Sequence, residues 1–317
     1  MKKLGIFIPI LLTIVLAFSI IGSVSAQPSV GDYIVTELVS GELSSVTPDG
    51  TVTLIVSGLT SPKGVAIDDS GDFIVTAGGG WGYLMKVTLG GTVTMIAEGL
   101  DNPRGVAIDG SGNYIVAEYG SNELSRVTQA GTITPIASSE LSGPSGIAID
   151  NSGNYIVVEY NSGELSSVAP DGTVTLIASG LSQPYDVAID GSGNYIVTEN
   201  LTNEISEVTP GGVVTVIVSS GITRPLGIAI DSSGNYIIAE QTGSELSKVT
   251  PGGTVTVITS SLSSPRFVVI VLEPLIRPVG GIFAPVNKLN ILAPYIALVG
   301  LIGAISTIFA IRRWRKD

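Results

Sequence analysis

The chain has 317 residues, 44% of them apolar and 13% charged, with 40 glycines. That is length enough for a large core and the low-charge, turn-rich profile of an all-β protein. It contains no cysteine, which excludes disulfides and thiol nucleophiles, and no histidine, which excludes the commonest general base and the commonest zinc ligand. The net charge of −12 argues against nucleic acid as a partner.

Residues 1–26 read as a secretory signal peptide. Lys2 and Lys3 form a basic start, an apolar run covers 4–21, and Val24-Ser25-Ala26 places small residues before Gln27. The run is long, so an uncleaved anchor is the alternative. Charge is partitioned along the chain. Lys2, Lys3, Arg312, Arg313, Arg315 and Lys316 stand at the two ends, whereas every acid except Asp317 falls between Gln27 and Asn290.

From Gly31 onward one unit is written six times, starting at Gly31, Gly71, Gly112, Gly153, Gly193 and Gly234. The spacings of 40, 41, 41, 40 and 41 residues signal a repeat architecture. Each unit holds four short runs. In the fourth copy they are NYIVVE (154–159), ELSSVAP (164–170), GTVTLIAS (172–179) and DVAID (186–190). Val, Ile, Thr and Tyr dominate and apolar residues tend to alternate, as in half-buried strands. The turns between them combine the fixed φ of Pro with the positive φ open to Gly, as in Pro170-Asp171-Gly172 and Pro210-Gly211-Gly212. Four antiparallel strands of this size make one propeller blade. A solenoid is the rival, but its end caps are missing.

The count points to a closed ring. The chain enters at the second strand type (33–37) and leaves at the first type (266–271), so the last strand can complete the blade begun by residues 31–57. The expectation is an all-β, six-bladed propeller over residues 27–271, whose first and last blade are one. Residues 272–290 follow as a connector stiffened by Pro274, Pro278 and Pro285. Residues 291–311 are apolar and free of charge, long enough to span a bilayer. The basic tail 312–317 then reads as cytoplasmic and the propeller as extracytoplasmic, at the cell membrane. A processed surface-sorting signal is the alternative, although no cleavage motif stands out.

The run P-x-G-[IV]-A-I-D-x-S-G-N-Y-I-V-x-E, followed by E-L-S-x-V-T-P-x-G-T, resembles NHL-type repeats and, more closely, those of virginiamycin B lyase. The resemblance covers about residues 31–271 and implies a propeller. The lyase family implies a histidine base with magnesium, and this chain has no histidine. Gluconolactonase-like propellers imply a divalent metal held by acids and amides in the channel. A metal-dependent hydrolase or lyase using Ca2+ or Mg2+ and carboxylates is therefore the alternative to a binding module.

Several repeated acids are candidates. Asp68, Asp109, Asp150, Asp190 and Asp231 precede x-Ser-Gly and read either as turn caps or as calcium corners, with Asp68, Asp69 and Asp72 the densest such corner. Glu37, Glu118, Glu159, Glu199 and Glu240 end the second strand type, and Glu42, Glu123, Glu164, Glu204 and Glu245 start the third. They read either as a structural device bonding loop amides or as a carboxylate ring at the channel mouth.

Departures from the repeat carry more. In the second copy Ala77 and Tyr83 replace the two Glu, around Gly78-Gly79-Gly80-Trp81-Gly82. Glycine lets such a loop approach a ligand, and Trp81 and Tyr83 offer flat apolar faces suited to sugars. The x of P-x-G reads Lys63, Arg104, Ser145, Tyr185, Leu226 and Arg266, and its Gly becomes Asp186 or Phe267 in two copies. Lys63, Arg104 and Arg266 enter successive blades on the face that also carries the Trp81 loop. They are candidates, with Tyr185 and Asp186, for binding a surface glycan, an anionic small molecule or a protein partner. The alternative is separate surface cations paired with neighbouring Glu. Asn200-Leu201-Thr202 is a glycosylation sequon placed on a turn.

Overall fold

The computed structural model describes residues 27–138 and 140–272, and the expected signal peptide, all of the connector beyond Leu272, the membrane span and the tail lie outside them. The first repeat forms β1 (Tyr33–Glu37), β2 (Glu42–Val46) and β3 (Val52–Val56). The next forms β4 (Pro62–Ile67), β5 (Phe73–Gly78), β6 (Gly82–Val87) and β7 (Val93–Leu100). Then come β8 (Pro103–Ile108), β9 (Tyr114–Glu118), β10 (Glu123–Val127) and β11 (Ile133–Ser138), followed by β12 (Pro144–Ile149), β13 (Tyr155–Glu159), β14 (Glu164–Val168) and β15 (Val174–Ser179). The last two repeats give β16 (Pro184–Ile189), β17 (Tyr195–Glu199), β18 (Glu204–Val208), β19 (Val214–Val218), β20 (Pro225–Ile230), β21 (Tyr236–Glu240), β22 (Glu245–Val249), β23 (Val255–Thr259) and finally β24 (Pro265–Ile270).

These strands make six four-stranded antiparallel sheets, and the first has the order β24-β1-β2-β3. Ring closure is therefore observed. Tyr33 pairs with Ile270, Ile34 with Val269 and Val35 with Val268, so the two ends of the domain share one blade.

The second strand of each blade is buried on both faces, because each sheet packs between two others. Ile34 and Leu43 of the first blade meet Phe73, Val75 and Val87 of the second. Tyr33 and Val35 turn the other way, onto Ile237, Ala239 and Leu246 of the sixth. Strand alternation thus divides one run between two interblade cores. The outer strands carry the exposed apolar side chains, among them Leu176, Val216 and Val257.

The turns at one end follow the repeat closely. Asp68 Oδ1 accepts from the Ser70 and Asp72 amides at 2.8 and 3.0 Å, and Gly71 supplies the needed φ of +81°. Asp109, Asp150, Asp190 and Asp231 do the same for their own turns. The turn-capping reading of these acids holds.

Candidate ligand site at the pore mouth

Each first strand starts beside the end of its second strand, as in Pro62 with Ala77 and Pro103 with Glu118. The P-x-G corners and the loops after the second strands therefore share one end of the ring, here called the mouth. The Asp-capped turns lie at the other end, where the chain also enters and leaves: the Gly31 amide donates to the Val271 carbonyl at 2.8 Å.

Three cations gather at the mouth, two of them on aromatic residues. The Arg104 guanidinium lies 3.4 Å from the centroid of the Tyr119 ring, 5.0 Å from that of Tyr160 and 5.5 Å from that of Tyr185. It also donates to Ser145 Oγ at 3.3 Å. Arg266 donates through Nη1 to the Tyr185 hydroxyl at 3.3 Å, while its buried Nε has no hydrogen-bond partner among the described residues. The Lys63 ammonium donates to Asn102 Oδ1. The rings pack edge to face, with centroids 6.1 Å apart for Tyr119–Tyr160 and 6.3 Å for Tyr160–Tyr185. Their hydroxyls are fixed in turn, Tyr119 on Asn161 at 3.0 Å and Tyr160 on Gln183 at 2.9 Å.

The partners are all neutral. Among the described residues the ion pairs are Lys86 with Asp68 and Asp72, and Arg126 with Asp109, all at the far end. Burial first, then repulsion by Arg104 and Arg266, pulls the Lys63 ammonium down to about 8. Burial also lowers Arg104, opposed by its tyrosines.

The backbone under these cations is pinned. The Thr36 hydroxyl donates to the Lys63 carbonyl and accepts from the Phe267 amide. The Thr76 hydroxyl likewise donates to the Arg104 carbonyl and accepts from the Gly64 amide. Each threonine ties its own first strand to that of the next blade.

The structure places Lys63, Arg104, Arg266 and Tyr185 near one another, together with Tyr119, Tyr160 and Asn102. The two tyrosines could have been found in the sequence, because they directly follow Glu118 and Glu159 in adjacent repeats. Trp81 stays apart: it is 69% exposed and enters none of the ring contacts among the described residues. Its loop is nevertheless anchored to the site, since the Asn102 amide donates to the Gly79 carbonyl at 2.7 Å. Tyr83 is half-buried against the core that holds Ala77 and Met85.

Asp186 departs from the expectation of a mouth ligand. It is buried, its oxygens accept from the Val187 and Ile228 amides at 2.9 and 3.0 Å, and Gly146 leaves the space for it. Burial lifts its carboxyl to about 8 against the pull of those amides. It lines an axial channel of about 330 Å³ whose other walls, including Val65, Val106, Ile147 and Val268, are chiefly apolar.

The strand-end glutamates are a clasp and not an open ring. Glu159 Oε2 accepts from the Ser142 amide at 2.7 Å and Oε1 from the Ser166 hydroxyl at 2.6 Å. Glu37, Glu118, Glu199 and Glu240 hold the Ser263, Asp101, Ser182 and Thr223 amides in the same way. Burial pushes the Glu118 carboxyl upward. In the second blade Ala77 and Met85 replace this Glu and Ser together, and an apolar contact stands where the others have a polar one. The Glu42-type residues are half-buried at the start of their strands.

The Asp68–Asp72 corner already holds a cation. Lys86 Nζ lies 2.8 Å from Oδ2 of both residues, whereas Asp69 adds no ion pair to the corner. No group of three or more carboxylates fit to hold a metal occurs among the described residues. Asn200 is corrected: the turn exposes Leu201, but Asn200 is 6% exposed and its amide points at the Pro225 carbonyl.

No protein-family model matches the chain, and no curated protein matches it. Solved structures do. Virginiamycin B lyase from Staphylococcus aureus is 19% identical over 65% of this chain and 73% of that one, with a TM-score of 0.52. A streptogramin B lyase is 16% identical over 71% and 72%, with a TM-score of 0.53. A chain of a nidogen/laminin complex is 15% identical over 76% and 98%, with a TM-score of 0.68. These likenesses agree with the fold of this chain, a β-propeller, whose own sheets number six. At such identities they define the fold alone. A catalytically inactive His-to-Ala variant of virginiamycin B lyase has been solved with quinupristin, and this chain contains no histidine with which to repeat that chemistry.

Proposed function

We propose that the protein is a cell-surface, membrane-anchored propeller that binds anionic ligands at the mouth of its pore. One observation carries the reading: Lys63, Arg104 and Arg266 converge there, partly buried, with neutral partners only. Cations removed from water without a counter-ion leave an electrostatic demand that an incoming carboxylate meets. The surrounding tyrosines suit a ligand with flat apolar faces as well as charge, such as an acidic sugar, or an acidic side chain presented by a protein. The nidogen/laminin complex shows that a fold of this shape also occurs in an assembly between proteins.

The anchor rests on sequence: the apolar stretch 291–311 followed by the basic 312–317, with residues 1–26 as the export signal. The last described strand leaves the propeller at the end opposite the mouth. Calorimetric titration of the full-length chain with galacturonate oligomers, with citrate and with neutral galactose oligomers tests the proposal. The acidic ligands bind and the neutral one does not. Equal heats for acidic and neutral sugars, or binding untouched in Arg104→Ala, would overturn it.

A further inference from the structure

An anion site needs only positive charge, and two guanidiniums supply that. The third cation is of a different kind. Lysine gives up its proton on burial far more readily than arginine, and the surroundings of Lys63 favour that loss. It is half-buried, its hydrogen-bond acceptor is the neutral Asn102 Oδ1, and its electrostatic neighbours Arg104 and Arg266 are both positive. The Thr36 and Thr76 hydroxyls hold the peptide bond that follows it from both ends, at the Lys63 carbonyl and the Gly64 amide.

We propose that Lys63 is a nucleophile that condenses with the carbonyl group of an oxo acid, whose carboxylate is held by Arg104 and Arg266. The inference rests on the anion-binding reading of the mouth. In the step, the neutral Nζ of Lys63 adds to the carbonyl carbon and a C–N bond forms. The former carbonyl oxygen takes up two protons and leaves as water as the C=N bond is made. In sum an ammonium and a carbonyl become an iminium and water, with no change in charge and no oxidant or reductant consumed.

The surroundings of Lys63, set against those of a second lysine, support it. Desolvation beside other cations is one of the ways a lysine is made nucleophilic near neutral pH. With its ammonium drawn down to about 8, about half of Lys63 is free amine at that pH, against well under 1% for an ordinary lysine. Lys86 is the internal contrast, since Asp68 and Asp72 hold its ammonium above the usual range.

Borohydride reduction tests this directly, because hydride converts the imine into a stable secondary amine. The full-length chain is incubated with pyruvate and sodium borohydride at pH 8, and its peptides are mapped by mass spectrometry. Lys63 should carry the reduced adduct on the order of 100-fold more often than Lys86. Acetone, which lacks the carboxylate, should label it about tenfold less. Lys63→Arg should abolish the label, and citrate binding is read on the unaltered chain. If that variant does not fold, the peptide map of the unaltered chain decides alone. Intact citrate binding with no adduct on Lys63, or labelling spread evenly over the lysines, overturns the covalent step and leaves the anion site standing. Failure of citrate to bind removes the anion site and this inference with it.

Discussion

The cations at the two ends of the propeller live in opposite surroundings. At the far end Lys86 and Arg126 lie within 4 Å of aspartates. Those aspartates belong to turns that repeat in blade after blade. At the mouth Lys63, Arg104 and Arg266 stand among tyrosines, an asparagine and a serine. Lys86 and Arg126 therefore have counter-ions, while the three cations of the mouth have none among the described residues. Where the repeat is kept, its polar residues cap turns and hold loops. Where it is broken at the mouth, the substitutions leave charge without a counterpart.

The largest expected effect lies in the repeated part. Glu159→Ala leaves the buried Ser142 amide and Ser166 hydroxyl without their acceptor, and it should cost about 3 kcal/mol of stability in chemical denaturation. Because the second blade makes the same junction from Ala77 and Met85, the paired change of Glu159→Ala with Ser166→Met should recover part of that loss. A loss no smaller in the pair would show that the apolar junction does not transfer between blades.

Next is the mouth. Arg104→Ala removes one cation and its stacking on Tyr119, and it should weaken binding of galacturonate oligomers by about 2 kcal/mol, roughly 30-fold. Stability should move far less. Tyr119→Ala should reproduce a fraction of the loss, since the ring aims the guanidinium without meeting the ligand charge itself.

Affinity should also depend on pH. Lys63 is protonated below about 8, and the ammonium is the form an anion prefers, so binding should hold below that pH and fall as pH rises through it, by up to about tenfold per unit. Stability should run the other way. Its pKa in the fold lies below the ordinary 10.5, so between those values the unfolded chain binds more protons and the fold gains stability as pH rises. Lys63→Met should abolish both trends.

The smallest effect is at the far end. Asp150→Ala removes the acceptor for the Ser152 and Asn154 amides in an exposed turn. It should cost about 1 kcal/mol and leave ligand binding unchanged.

The fold was legible in the sequence because repetition multiplies weak signals. One YIVxE run says little, but six runs of that type at a near-constant spacing, four of them exact, with the last strand one step out of phase, require a shared blade. The turn aspartates and strand-end glutamates were legible for the same reason. The mouth was legible only in part. Lys63, Arg104 and Arg266 showed themselves as departures at one repeat position, and pairing of the first two strands set them on one face. Of the tyrosine partners, Tyr119 comes from the loop of Arg104's own blade and Tyr160 from that of the next, where the contact depends on side-chain direction across the pore. Asp186 misled for the converse reason. It occupies the glycine position beside Tyr185, one residue further along the strand, and there a side chain enters the channel and meets the next blade's amide instead of the mouth. Asn200 misled because its turn is exposed while its own side chain folds inward.

The most direct test is a crystal of the protein grown in bromide, with the halide located by its anomalous signal. The account predicts a bromide among Lys63, Arg104 and Arg266, and none at the aspartate turns around Lys86. Bromide absent from the mouth, in crystals that hold it elsewhere, would contradict it.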